Sequence, residues 1–320
     1  MIVLVADAGG TRIKVALMRN QSVLAQECLV ARSHEGFAPQ LPRIVVAFEN
    51  LCARTGIKPR DCSALGLAFP SLIDLDKGRV RSAYVKYEDA PGLDLPGWAR
   101  DTLGLPLILE NDARMALLGE WKAGAGRGSD DLVMVTLGTG LGTAALIRGH
   151  LVRGKHGQAG VLGGHLTVHQ NGRRCTCGNR GCAEAEASTY ALPSIATEQA
   201  DFSRSALREL KVIDYAAVMR LAREEDPCAM ALRTQAIEIW SSMIVNLIHA
   251  YDPERVIVGG GILAGAADFF PALEHRVQAH AHTPWGHVAI LSAELGDGAA
   301  LFGGEYLVRE TFSRSRPAHH

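Results

Sequence analysis

The chain reads as an α/β protein of two lobes, and three observations predict it. Strands and helices alternate along the sequence, a strand followed by a glycine turn and a returning strand occurs twice, and 320 residues are long for one core. Ile2–Ala6 form the first apolar strand, Gly9-Gly10 the turn, and residues 13–18 the return. Leu132–Leu137, Gly138-Thr-Gly-Leu-Gly142 and Thr143–Ile147 repeat the plan, with Gly138 lying 129 positions after Gly9.

Between the hairpins the pattern predicts a helix over 39–55, a strand at 64–68, a loop rich in Gly, Pro and Asp at 88–97, and a strand at 105–109. A helix follows from Asp112 to Lys122, with Ala113, Ala116, Leu117 and Trp121 as its apolar face. After the second hairpin the chain is irregular through a cysteine cluster and turns helical from Ala191. Asp226-Pro227 supplies an N-cap and a first-turn proline for a helix reaching about His249. Arg255–Val258 read as a strand, Gly259-Gly260-Gly261 as a turn that opens another helix, and Gly298–Arg309 as a last helix returning to the first lobe. The expected division is a smaller lobe over 1–111, joined by the C-terminal helix at about 298–320, and a larger lobe over 112–297. A cleft between lobes is the default ligand site.

A formal net charge of -1, from 33 basic and 34 acidic residues, provides no field to hold a nucleic-acid backbone or an anionic membrane. The start lacks a basic flank, and no apolar run approaches the ~20 residues of a membrane span, so a cytoplasmic protein acting on a small molecule is expected. Of seven cysteines, Cys175, Cys177 and Cys182 fall within eight residues, a distribution that argues for metal and against disulfides.

Three constellations carry chemistry. Asp7-Ala-Gly-Gly-Thr11 sets a carboxylate at a strand end before two residues whose backbone can approach a phosphate, and the carboxylate suits hydrated Mg²⁺. Taken alone it reads better as an ordinary hairpin turn, because short glycine patterns match often by chance; the second copy at Gly138, Thr139 and Gly140 makes a clamp on a triphosphate the better reading. Glu110-Asn111-Asp112 follows a strand and opens a helix. Asp112 suits both an N-cap and a base kept ionised by the helix dipole, and phosphoryl transfer to an alcohol needs one such carboxylate. His165 with Cys175, Cys177 and Cys182 supplies the tetrahedral set of a closed structural Zn²⁺ site, with His169 as the competing fourth ligand. Gly259-Gly-Gly-Ile-Leu-Ala264 fits a dinucleotide fingerprint only weakly, since no acidic residue follows near 279–284 to hold a ribose; a turn beneath an adenosine is more economical. No Walker-type phosphate loop is present.

With these pieces in order, the chain resembles the ROK family along nearly its whole length. The resemblance rests on Asp7–Thr11, Glu110–Ala113, Leu137–Gly142, Cys175–Cys182, Glu184-Ala-Glu-Ala-Ser188 and the stretch from Asp252-Pro to Gly261. It implies the two-lobed hexokinase/actin-like fold and an ATP- and Mg²⁺-dependent sugar kinase, with a homodimer as the common assembly. It also implies Asp112 as general base, sugar contacts from Asn111, Asp112, Glu184 and His165, phosphates at both glycine hairpins, adenosine by Gly259, Gly260 and Gly261, and Zn²⁺ on His165, Cys175, Cys177 and Cys182.

Two stretches depart from the family pattern. Ala159-Gly-Val-Leu-Gly-Gly-His165 stands where glucose and N-acetylhexosamine kinases carry Ala-Gly-Glu-x-Gly-His, so Val161 replaces a sugar-binding carboxylate and one residue is added. Phe69-Pro-Ser71 stands for Pro-Gly. Sugar hydroxyls left unpaired in a closed site cost ~1–3 kcal/mol each, which points to another aldose, a ketohexose or a 2-substituted sugar. The rival readings are a non-catalytic sugar-responsive regulator, whose DNA-binding domain would precede a first strand that here begins at residue 2, and an NAD-linked oxidoreductase using Gly259–Gly261.

Overall fold

The computed structural model describes residues 1–82 and 86–314. The elements of the first part of the chain are β1 (Ile2–Ala8), β2 (Arg12–Arg19), β3 (Ser22–Val30), α1 (Leu41–Thr55), β4 (Cys62–Phe69), β5 (Leu72–Asp74), β6 (Arg79–Ser82), α2 (Leu95–Trp98), β7 (Leu107–Asn111) and α3 (Asp112–Ala123). They are followed by β8 (Leu132–Leu137), β9 (Leu141–Ile147), β10 (His150–Leu151), α4 (Ala183–Ala187), α5 (Leu192–Thr197), α6 (Tyr215–Arg223) and α7 (Pro227–Tyr251). The chain ends with β11 (Arg255–Gly259), α8 (Phe270–His280), β12 (Ala289–Ser292) and α9 (Ala299–Arg314). None of the described helices is long and apolar enough to cross a membrane.

Two compact units result, one of Met1–Gly128, Val152–Ala159 and Asp297–His320, the other of Ser129–Leu151 and Gly160–Gly296. Each contains a five-stranded sheet, ordered β3-β2-β1-β4-β7 in the first and β10-β9-β8-β11-β12 in the second. In both, the glycine hairpin is antiparallel (β1 with β2, β8 with β9) and the next two strands join in parallel. The repeat read from the two glycine turns is therefore a repeat of topology. The continuous apolar run of β1 follows from cover on both faces of its sheet. Leu4 and Ala6 pack with Ile44, Phe48 and Leu51 of α1, whereas Val3 and Val5 pack with Leu301 and Val308 of α9.

The expected break at 111/112 is corrected. Helix α3 belongs to the first unit because it crosses α9 with the two backbones touching. A Cβ on Gly119 would fall 2.0 Å from the Ala299 carbonyl oxygen, and one on Gly303 would fall 1.7 Å from that of Met115. The apolar face expected of α3 was too narrow, since Arg114 and Glu120 are also wholly buried. Gly261 opens a 3-10 segment, Gly261–Asp268, and α8 begins only at Phe270, so the expected helix directly after the glycine turn is displaced. The stretch at 88–97 contains α2 and a 3-10 turn at Ala90–Gly92, where a loop was expected. The end of the expected C-terminal segment, 315–320, lies outside the described residues.

The α3–α9 crossing can be tested directly. Gly303→Ala should lower folding stability by at least ~1–3 kcal/mol, because the added methyl meets main chain that cannot swing aside. Gly92→Ala, with nothing within 4 Å of its Cβ, should change little. Equal melting temperatures for the two variants would overturn the packing argument.

Candidate active site and metal centre

In the first unit β1 delivers Asp7 to the end of the sheet, and the hairpin register pairs it with Lys14 of β2. Lys14 Nζ donates to the main-chain oxygen of Asp297 and lies 3.5 Å from the Asp297 carboxylate. The turn between β1 and β2 is tied down from its carbonyl side. Ser33 Oγ donates to Gly10 O at 2.9 Å and Tyr87 Oη to Gly9 O at 2.8 Å. Tyr87 is fully buried against Phe37 and Phe69, with ring centroids 5.1 and 5.4 Å away. Burial pushes the Asp7 carboxyl up to about 7; Lys14 opposes the shift, and Asp112 and Asp297 reinforce it. Thr11 is exposed at the end of the same turn.

Asp112 is the first residue of α3 and not its cap. Asn111 is the cap, its Oδ1 accepting from Arg114 N at 3.2 Å, while its Nδ2 donates to Ser71 O at 3.2 Å and to Asp112 Oδ1 at 3.1 Å. Asp112 Oδ1 also accepts from Ala113 N at 2.8 Å. Burial raises the pKa of Asp112 against these hydrogen bonds and the charge of Lys86. Beneath the pair, fully buried Glu110 accepts from Asn111 N at 2.9 Å, from Arg114 Nη1 at 3.3 Å and from Arg153 Nη2 at 2.7 Å. Arg114 Nη2 reaches the carbonyl oxygens of Val152, Gly157 and Ala159 at 3.1, 3.0 and 2.8 Å. The structure thus brings Asp7, the Gly9-Gly10 turn, Asn111 and Asp112 into one unit.

In the second unit three predicted stretches converge. Glu184 Oε2 accepts from Leu141 N at 2.9 Å, and a Cβ on Gly140 would fall 2.6 Å from that oxygen. Thr189 N and Tyr190 N donate to the carbonyls of Gly138 and Thr139, both at 3.1 Å. Gly260 has φ 98°, and a Cβ there would fall 2.2 Å from Leu137 O, so only glycine lets the Gly259–Gly261 turn lie against the residue before Gly138. The α4 helix that carries Glu184 is held at its far end, where Ala187 O accepts from both Tyr215 Oη at 3.1 Å and Trp240 Nε1 at 3.0 Å.

The ligand atoms of His165, Cys175, Cys177 and Cys182 all lie within 4.8 Å of one another. Cys175 Sγ is 3.5 Å from His165 Nδ1, and Cys177 Sγ is 3.7 Å from Cys182 Sγ. A tetrahedron with metal–sulfur bonds of ~2.3 Å has edges of roughly 3.8 Å, so these four residues fit Zn²⁺. Burial pushes the Cys182 thiol up to about 12, with the neighbouring cysteines adding to the shift; a central cation would supply the missing counter-charge. His169 stands apart, 60% exposed and 3.9 Å from Glu186, which leaves His165 as the fourth member. The extra glycine before His165 has a packing reason: a Cβ on Gly164 would fall 2.1 Å from Leu141 O. Val161 is half-buried and offers no polar atom beyond its main chain.

Five side chains in the first unit escaped the sequence reading: Lys14, Lys86, Tyr87, Arg114 and Asp297. Lys14 was not readable from the turn, because a two-residue turn at Gly9-Gly10 would set Arg12 opposite Asp7, whereas the observed register pairs Ala8 with Ile13 and Asp7 with Lys14. The other four belong to no motif and meet the site only through the fold.

The ROK family model matches residues 3–311. A glucokinase from Halalkalibacterium halodurans is 28% identical over 312 residues, 95% of this chain and 94% of that protein. The xylose repressor of Bacillus subtilis is 28% identical over 257 residues, 79% of this chain and 63% of the repressor. Among solved structures, a ROK family glucokinase from Streptomyces griseus in complex with glucose and AMPPNP superposes with a TM-score of 0.81 at 27% identity, covering 97% of this chain and 100% of that one. With the match spanning both glycine hairpins, the Asp112 junction and the cysteine cluster, the chain belongs to the ROK family.

Proposed function

We propose that the protein is an ATP-dependent sugar kinase that moves the γ-phosphoryl group of ATP onto a hydroxyl of a monosaccharide. The observation that carries this reading is the state of Asp112. Its Oδ1 is occupied by Ala113 N and Asn111 Nδ2, and burial raises its pKa, which leaves Oδ2 as a strengthened base. In the transfer the acceptor oxygen bonds to the γ-phosphorus as its proton passes to Asp112 Oδ2. The bond from the γ-phosphorus to the β,γ-bridging oxygen breaks, its electron pair leaving with ADP.

The remaining residues take roles by the same reading. Gly9, Gly10 and Thr11 bind phosphate on one hairpin, Gly138, Thr139 and Gly140 on the other, and Gly259–Gly261 lie under the adenosine. Asn111, Glu184 and His165 serve the sugar. Asp7, raised to about 7 by burial and by two neighbouring carboxylates, suits a hard divalent cation, which when bound would offset phosphate charge. Zn²⁺ on His165, Cys175, Cys177 and Cys182 has no open position and acts through structure. The proposal includes a cytoplasmic homodimer. The second reading, a sugar-responsive regulator without catalysis, is favoured by the similarity to the xylose repressor. Sugar binding without sugar-dependent ADP release would establish that alternative.

Asp112→Asn should retain sugar binding and lower kcat by ~10²–10⁴. In the parent protein kcat should fall as pH drops and Asp112 protonates, with the acid limb above the ordinary carboxylate range because its pKa is raised. Turnover within a few-fold of the parent, or a limb unchanged in the variant, would remove Asp112 from the mechanism.

Metal analysis should find about one Zn²⁺ per chain, and Cys177→Ser should lower the melting temperature and raise KM for sugar more than for ATP. The asymmetry is expected because the cluster ends two residues before Glu184. Protein purified without chelator and free of zinc would refute the assignment.

Glucose should have a lower kcat/KM than at least one other monosaccharide in a panel of aldoses, ketoses and amino sugars, since Val161 supplies no carboxylate for its hydroxyls. Glucose emerging as the best acceptor would mean another residue fills that role.

A further inference from the structure

Lys86 lies against the glycine turn of the first unit. A Cβ built on Gly10 would fall 2.6 Å from its Cε and 2.7 Å from its Nζ, so the ammonium group rests on the backbone of the turn. The side chain is half-buried, and among the described residues it forms no hydrogen bond or ion pair. Its charge favours the ionised form of Asp112. The segment that carries it is anchored immediately downstream, by Tyr87 Oη on Gly9 O and by Asp89, whose carboxylate accepts from Phe37 N at 2.5 Å and Ala38 N at 2.8 Å. A partly desolvated ammonium held on the glycine turn, near the Asp112 carboxylate but in no ion pair with it, is preorganised for an arriving anion.

We propose that Lys86 is a catalytic residue, its ammonium neutralising the phosphoryl group in transit between the Gly9-Gly10 turn and the acceptor hydroxyl at Asp112. The inference rests on the kinase reading above, in which that turn holds phosphate and Asp112 takes the acceptor's proton. In a loose transition state negative charge spreads over the three equatorial oxygens of the moving group, and a fixed cation beside them is worth most where water is thinned. Lys86 exchanges no proton in the step. It also gives Gly10 a second reason to be glycine, since a side chain there would displace the ammonium from the turn.

The test compares Lys86→Met and Lys86→Arg with the parent protein by sugar-dependent ADP release, after matched melting temperatures have shown that all three fold. Lys86→Met should lower kcat by ~10²–10³ while KM for sugar stays within about threefold, and Lys86→Arg should recover at least about tenfold of the loss. A second readout needs no turnover: Lys86→Met should weaken binding of ADP with aluminium fluoride, a mimic of the moving phosphoryl group, by about tenfold or more and leave ADP alone unaffected. Unchanged kcat, a defect confined to KM for sugar, or equal weakening of both nucleotide complexes would overturn the role. If the parent phosphorylates no sugar, the kinase reading fails, and the aluminium fluoride comparison still decides whether Lys86 recognises a phosphoryl group.

Discussion

The candidate chemistry of the first unit hangs on one buried carboxylate. Glu110 is sealed from solvent and takes hydrogen bonds from Asn111 N, Arg114 and Arg153. A carboxylate in that position is tolerated only when its lone pairs are met, and losing one partner leaves an uncompensated charge in the core. Because one of those partners is the amide of Asn111, the arrangement that satisfies Glu110 also sets the strand-to-helix junction from which Asn111 and Asp112 project. Arg114 carries the constraint further by gathering three carbonyls of the 152–159 segment, which explains why that stretch is counted with the first unit although it follows β10 of the second sheet.

Around this anchor the charges oppose one another across short distances. Asp7, Asp112 and Asp297 repel, Lys14 is shared between Asp7 and Asp297, and Lys86 lies on Gly10. Burial raises both Asp7 and Asp112, so two carboxylates with elevated pKa values occupy one unit. Such a cluster of carboxylates is unfavourable without counter-charge and is relieved by a cation, a common arrangement where binding energy is directed to charge that develops in a reaction.

The second unit relies less on charge than on close backbone contact. Gly260 against Leu137, Gly164 against Leu141 and Gly140 against Glu184 are approaches that a Cβ would obstruct, and together they pack the two glycine turns and α4 into one corner of the sheet. The loop from His165 to Cys182 has little apolar surface of its own. Its thiols and imidazole already stand at the spacing of a metal tetrahedron, and Trp240 and Tyr215 pin the helix that follows.

Much of this was legible in the sequence for physical reasons. Glycine turns are legible because backbone approach excludes side chains, the Cys/His cluster because tight Cys spacing has few other uses, and the repeated plan because a strand, glycine turn and returning strand occur twice. The Asn111–Asp112 junction was legible as a helix start, but which of the two residues caps it depended on the rotation of the first turn, and the structure gives the cap to Asn111. Tertiary packing alone decided that α3 belongs with α9, since Gly119 lies against the Ala299 carbonyl and Gly303 against that of Met115, and contacts between residues 180 or more positions apart leave no local pattern. It alone decided that Lys86 rests on Gly10 and that Arg114 binds the 152–159 carbonyls, because single long cations reach partners distant in sequence at no fixed spacing. Sequence by itself determined the fold class and the residue types of the chemistry; the structure decided which charges stand beside them, because electrostatics follow distance in space and not along the chain.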